Sequence, residues 1–297
     1  MGALLEIALS GIAMGAIYTL SAQGLLVTHL AAHRMNFGQG DFLMIAAFLS
    51  MSLLLAGVPV LAVLLLVAVA LGLLGMLLER LAIRPLDRHR RVGGASHAWI
   101  LTTMGFALIL QNVTTLIWGR SSHYSPPLFS TGRNSVVTVW GISLYLEEIV
   151  VVVAALFAVG AFYLLLMRSE TGRAIRVVAF DPDTAALLGI DVRRTLVIAF
   201  VLASLLAAVS GVLIGPLITV QPAMGLVLTI KALAVASIGG FANPLGILVG
   251  GLLFGVVEGV SNYVDSAFGD LYPLLMVLAL LVVRPSGLFG NAVTDTR

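Results

Sequence analysis

The chain has 297 residues, of which 60% are hydrophobic and only 10% charged, against about 45–50% apolar and about 25% charged for soluble domains. With a mean hydropathy of +1.10, this composition excludes an ordinary soluble globular fold and a disordered chain. The absence of cysteine excludes a disulfide framework, a thiolate metal site and a catalytic cysteine, and a formal charge of +2 carries no nucleic-acid footprint.

Lipid leaves backbone groups no partner outside a helix or a closed barrel, and the apolar runs are too long and too uniform for barrel strands. Nine spanning helices are therefore predicted over 4–27, 41–56, 59–80, 97–118, 145–167, 195–218, 225–242, 244–263 and 268–283. The second and seventh are short enough to be half-helices or re-entrant segments. The fold class is thus all-α: a polytopic membrane protein of about 8–9 transmembrane helices, some short or broken, in one transmembrane domain over 1–297. The first 30 residues hold Glu6 and no early Lys or Arg, so a cleavable signal peptide is not expected.

Arginine sets the expected orientation. One group comprises Arg84, Arg88, Arg90 and Arg91, and a second Arg168, Arg173, Arg176, Arg193 and Arg194. The intervening loop 119–144 has only Arg120 and Arg133. The loops 81–96 and 168–194 are therefore placed in the cytoplasm and 119–144 outside. Alternation then puts Arg284 and the C-terminus inside and the N-terminus outside. The outer loop, with Pro126, Pro127, Gly132 and Gly141, reads as an irregular lid. Trp99, Trp118 and Trp140 fall where interfacial anchors sit.

The segment Met35–Asp41, MNFGQGD, interrupts otherwise apolar chain. It reads either as a tight cytoplasmic turn with Asp41 as N-cap of the next span, or as a pathway element with Asn36 and Gln39 offering neutral hydrogen bonds. Gln111 and Asn112, toward the outer end of the fourth span, are further pathway candidates. The default for these, and for Tyr18 and Gln23, is interhelical hydrogen bonding. Arg120, His123, Tyr124, Arg133 and Gln221 form either a solvated rim or a contact for a binding protein.

In the cytoplasmic loop, Asp181 can cap a helix with Pro182 in its first turn, Ala185, Ala186, Leu187 and Leu188 continue it, and Gly189 fits its C-terminal cap. A short helix over about 182–188 follows. It either holds two spans in register or docks into a motor subunit. Further on, Gly246 and Gly250, and Gly251, Gly255 and Gly259, recur at spacings of four that let another backbone approach closely. That backbone could belong to this chain or to another. Lys231 and Glu258 lie in the hairpin 225–263. A turn near 242–244 sets them about 6 Å apart along the axis, either as an ion pair or with one of them facing the solute.

The run GRAIRVVAFDPDTAALLGIDVRRT resembles the cytoplasmic loop of permeases of bacterial branched-chain amino acid ABC transporters, the Liv type. GAIYTLSAQGLLVTH with NFGQGDFLMIAAF, KALAVASIGGFANPLGILVGGLLFGVVEG and VVRPSGLFG resemble three further segments of that family, in its order. Gln39 stands where many members carry histidine, and His29 and His33 make their region more polar than usual.

The resemblance implies an importer permease of the bacterial inner membrane that forms the solute pathway and performs no catalysis. Its implied partners are a homologous second permease, two cytoplasmic ATPase subunits, a periplasmic solute-binding protein and lipid, with no nucleic acid. Residues implied to couple to the ATPase are Arg173, Ala179, Asp181, Pro182, Ala185, Ala186, Gly189 and Asp191. No phosphate-binding loop is present, so ATP–Mg is expected on the partner chain and no cofactor or metal on this one. Branched-chain amino acids lead the implied solutes, with other amino acids, urea, amides and aromatic acids also open. The competing reading is an ion-coupled secondary transporter of a small polar solute, for which intramembrane acids are few and no clear pair of inverted halves is visible. An enzyme is disfavoured, since His29, His33, His89, His97 and His123 lie in loops or at span ends without a zinc motif.

Overall fold

The computed structural model describes residues 2–85, 98–129, 136–139, 142–241, 243–266 and 268–289. Each expected span is a helix: α1 (Gly2–Ala32), α2 (Gln39–Leu55), α3 (Val60–Leu78), α4 (Ala98–Trp118), α5 (Leu146–Arg168), α8 (Val192–Ile214), α9 (Met224–Gly239), α10 (Pro244–Val264) and α11 (Leu271–Val283). Two shorter helices, α6 (Glu170–Phe180) and α7 (Pro182–Leu187), lie between α5 and α8. Six of the helices are long and apolar enough to cross a membrane, whereas α2, α9 and α11 have 17, 16 and 13 residues. A π-helical turn, Glu79–Ile83, extends α3.

The outer loop departs from the expected irregular lid. Its described part contains an antiparallel hairpin, β1 (Val136–Val139) with β2 (Ile142–Tyr145), paired Val136 to Tyr145 and Val139 to Ile142. His123 also bridges to Val220 through two backbone hydrogen bonds of 2.9 Å. Arg88, Arg90, Arg91, His89, His97, Arg133, Gly132, Trp140 and Gly141 lie outside the described residues.

The helix α1 forms the axis of the bundle, 89% buried along its apolar window, with α5, α8, α9 and α10 around it. Gly251, Gly255 and Gly259 of α10 face α1 of this same chain, whereas Gly246 and Gly250 face Ile238 and Gly239 of α9. A Cβ on Gly11 would sit 2.5 Å from the Gly255 carbonyl oxygen, and one on Gly15 would collide with that of Gly251. Without a hydrophobic force between helices in lipid, such close approach maximises dispersion and replaces the burial that drives soluble cores. By contrast, α3, α4 and α5 are only 22–28% buried, and their outer faces carry Leu61, Leu65, Leu101, Leu108, Phe157 and Leu164.

Candidate functional site

The first group of polar residues surrounds the start of α2. Between His33 and Gly38 the chain climbs from the end of α1 back into the bundle alongside α4. Phe37 packs on Trp99, Gly38 lies beside Thr103 and Ala107, and Asp41 reaches Gln111. From Trp99 to Gln111 is about 18 Å of helix, so α2 begins deep inside. A tight turn is present, closed by the Gln39 N–H on the Asn36 carbonyl at 3.1 Å, and it lies buried in the bundle.

Asp41 is not the N-cap. Gly38 occupies that position with no side-chain cap, and its N–H donates to Asn36 Oδ1 at 3.0 Å. Asp41 sits within the first turn, 1% exposed, and accepts from Gln111 Nε2 at 2.8 Å. Asn36 and Gln39 are buried, with Asn36 donating to Gln39 Oε1 at 3.4 Å and Gln39 Nε2 donating to the Ala203 carbonyl of α8 at 3.0 Å. Their amides are spent inside the protein.

The start of α2 meets the start of α9, and from that meeting the two helices run to opposite ends of the bundle. The Gly40 N–H donates to Thr229 Oγ1 at 2.9 Å. A Cβ on Gly40 would collide with the Gly225 carbonyl oxygen, and one on Gly225 with the Asp41 carboxylate. Only glycine permits this crossing, and the backbone broken at 33–38 is tolerated because protein surrounds it.

A second group lies nearer the end that carries β1 and β2. Lys231 Nζ stands 2.8 Å from Glu258 Oε1, the pair that the hairpin geometry allows. It stands equally close to Asp270 Oδ1, at the start of α11. The Tyr18 hydroxyl donates to Glu258 Oε1 at 3.0 Å, and Lys231 lies 5.5 Å from the Tyr18 ring centroid. Asp270 was not anticipated, although it falls in the first turn of the span expected over 268–283; the helix itself begins only at Leu271, with Asp270 at its N-cap. Gln23 follows the default of interhelical bonding, donating to the Pro244 carbonyl at 3.3 Å. The indole N–H of Trp118 is spent on Ser52 Oγ at 2.7 Å, while its ring packs on Phe48.

Third, a cavity of about 290 Å³ opens between the ends of α4 and α9, lined by Gln111, Asn112, Thr115, Arg120, Gln221, Pro222 and Ala223. The structure thus brings together two pathway candidates and two residues of the expected rim. Tyr124 is 82% exposed and stands outside the cavity lining.

At the opposite, arginine-rich end, α6 and α7 form an elbow with a capped start at every helix. Ser169 Oγ accepts from Gly172 N, Asp181 Oδ1 from Asp183 N and Asp191 Oδ1 from Arg194 N, each at 3.0 Å. The Thr184 hydroxyl and the backbone N–H groups of Asp183 and Thr184 hold the exposed Asp181 carboxyl below the ordinary carboxylate range. Gly189, at φ +80°, closes α7 as expected, its N–H on the Ala186 carbonyl at 3.0 Å. Ala185 is buried and Ala179 half-buried, while Arg173, Pro182, Ala186 and Asp191 are exposed, Arg173 in a 3.5 Å contact with Glu170. Phe180 and Leu187 project into solvent, 91% and 89% exposed. The helix α6 was not anticipated, although Gly172, Ile175 and Val178, its buried residues, recur at helical spacing.

Among the described residues no group of three or more His, Asp or Glu side chains could hold a metal ion. Residues 7–283 match the model of a family described as branched-chain amino acid transport system, permease component. The chain is 28% identical to the high-affinity branched-chain amino acid transport system permease protein LivH of Salmonella typhimurium, over 95% of this chain and 94% of that one. It is 31% identical to BraD of Pseudomonas aeruginosa, a permease protein of the same description, over the same shares. To a probable branched-chain amino acid transport permease of Methanocaldococcus jannaschii it is 30% identical over 92% of this chain and 89% of that one. No solved structure matches the chain.

Proposed function

The chain belongs to the branched-chain amino acid transport permease family, and on that footing we propose that it is the transmembrane subunit of an ATP-driven importer for branched-chain or related amino acids. It is a multi-pass membrane permease. In this reading the single domain 1–297 forms part of the solute pathway with a homologous second permease. Two ATPase subunits carry ATP–Mg below, a periplasmic binding protein delivers solute above, and this chain binds no cofactor. The arginine-rich end and the C-terminus face the cytoplasm.

The observation that carries the coupling role is the elbow α6–α7. Phe180, Leu187 and Leu188 are held out in water on a doubly capped turn. Clustered apolar side chains in such a place mark a docking surface. The elbow leads directly into α8, which packs against α1, α2 and α3. On α8 the Ala203 carbonyl receives the amide of Gln39 at the buried start of α2. A push on α7 therefore has a continuous path, through α8, to the crossing of α2 and α9. ATP binding shifts access only if the two access states bind the motor differently, and a lever anchored on α8 supplies that difference.

Co-expression with its genomic neighbours, followed by purification on a tag carried by this chain, tests the proposal. A second permease and ATPase subunits are expected to co-purify, with the ATPases lost in Phe180→Asp/Leu187→Asp. A stable protein that purifies alone and drives uptake from an ion gradient without ATP overturns it.

A further inference from the structure

The cavity between α4 and α9 has walls of unequal chemistry. Gln111 Nε2 is committed to Asp41 at 2.8 Å, and Asn112 Nδ2 to the Leu108 carbonyl at 2.8 Å. A carboxylate and a carbonyl accept only, so both amide orientations are set and each side chain's oxygen is left without a partner among the described residues. On the same wall Arg120 makes no hydrogen bond or ion pair with the described residues. Two amide side chains with set orientations and one uncommitted arginine therefore line a volume of about 290 Å³, near the lower limit of roughly 300 Å³ for small-molecule pockets.

We infer that this cavity is a solute-recognition vestibule for a zwitterionic α-amino acid. Arg120 holds the carboxylate, and Gln111 Oε1 and Asn112 Oδ1 accept from the ammonium. The inference rests on the transport reading above, takes its amino-acid solute from it, and adds a site and the groups that hold each end of the zwitterion. A guanidinium offers a planar fork to a carboxylate, and amide oxygens suit an ammonium without the tight hold of a full negative charge. The Gln111–Asp41 bond links the vestibule to the buried crossing of α2 and α9, so displacing Gln111 reaches the element that the elbow also reaches.

Modification of arginine by p-hydroxyphenylglyoxal, mapped by mass spectrometry on the purified complex, tests the site without requiring turnover. L-Leucine is expected to slow modification at Arg120. Leucinamide, which lacks the carboxylate, is expected not to. In ATP-driven uptake, Arg120→Ala should raise the KM for L-leucine about tenfold, the loss of one charge-assisted hydrogen bond, with partial recovery in Arg120→Lys. Gln111→Leu should raise it as well. Equal modification with and without L-leucine overturns the inference, as does protection by the unloaded binding protein alone, which makes Arg120 a docking contact. A complex that shows L-leucine protection but no ATP-driven uptake keeps the vestibule and sinks the importer reading.

Discussion

Lys231 is the only lysine of the chain and has two acidic partners, one buried and one 61% exposed. The two ends of the cluster are therefore not equivalent. Removing the cation in Lys231→Met strands the buried Glu258, a loss of about 3–5 kcal/mol. Removing the anion in Glu258→Gln leaves Lys231 with Asp270 and should cost less, so the thermal midpoint in detergent should fall further for Lys231→Met. Equal shifts would show that Asp270 does not compensate. For the same reason an exchange of Lys231 and Glu258 should restore stability only when Asp270→Asn is added, because the exchanged acid would face Asp270. At the other end, Asp181 caps α7 most strongly as a carboxylate, whose two oxygens accept from the Asp183 N–H and the Thr184 hydroxyl at once. Its folded-state pKa is depressed, so its contribution to α7 is present above the ordinary carboxylate pKa and is lost as pH falls through the depressed value. Amide hydrogen exchange across 183–187 should therefore accelerate in acid and be fast at neutral pH in Asp181→Ala. Asp181→Asn, which keeps one acceptor but not the charge, should fall between the unaltered chain and Asp181→Ala.

Helix-to-helix approach explains both what the sequence discloses and what it hides. Gly251, Gly255 and Gly259 are visible as a stripe because their spacing matches one helix face. Their partner is invisible because Gly11 and Gly15 read equally well as ordinary glycines of a spanning helix. The pairing of Lys231 with Glu258 is legible because two charges stand in apolar helices on either side of one short turn. The depth of α2 is not legible. The glycines Gly40 and Gly225, far apart in sequence, set it by permitting a crossing that no local pattern announces. The elbow is partly legible: Asp181, Pro182 and Gly189 mark α7, but Glu170, Arg173 and Arg176 along α6 obscure its buried face. Gly255→Ala should cost about 1–3 kcal/mol through overpacking, because its Cβ would collide with the Gly11 carbonyl. Gly160→Ala, on α5 with nothing within 4 Å of the added Cβ, should leave the thermal midpoint unchanged or slightly raised. Similar losses at both positions would mean that α1 and α10 are not in close apposition.

At the scale of the whole molecule, the orientation proposed from arginine placement has a direct check, because the chain contains no cysteine. A single cysteine at Leu187 should react with an impermeant maleimide only in inside-out vesicles, and one at Tyr124 only in right-side-out vesicles. The reverse pattern would invert the topology and detach the elbow from the cytoplasm. The crossing of α2 and α9 has a further consequence for the molecule's electrostatics. Two helix N-termini converge there, each equivalent to roughly half a positive elementary charge, and Asp41 is the carboxylate set against both. The carboxylate offsets two converging macrodipoles. Asp41→Asn would leave about one positive charge in the heart of the bundle and convert a neutral junction into an anion trap, which bromide and its anomalous scattering would reveal.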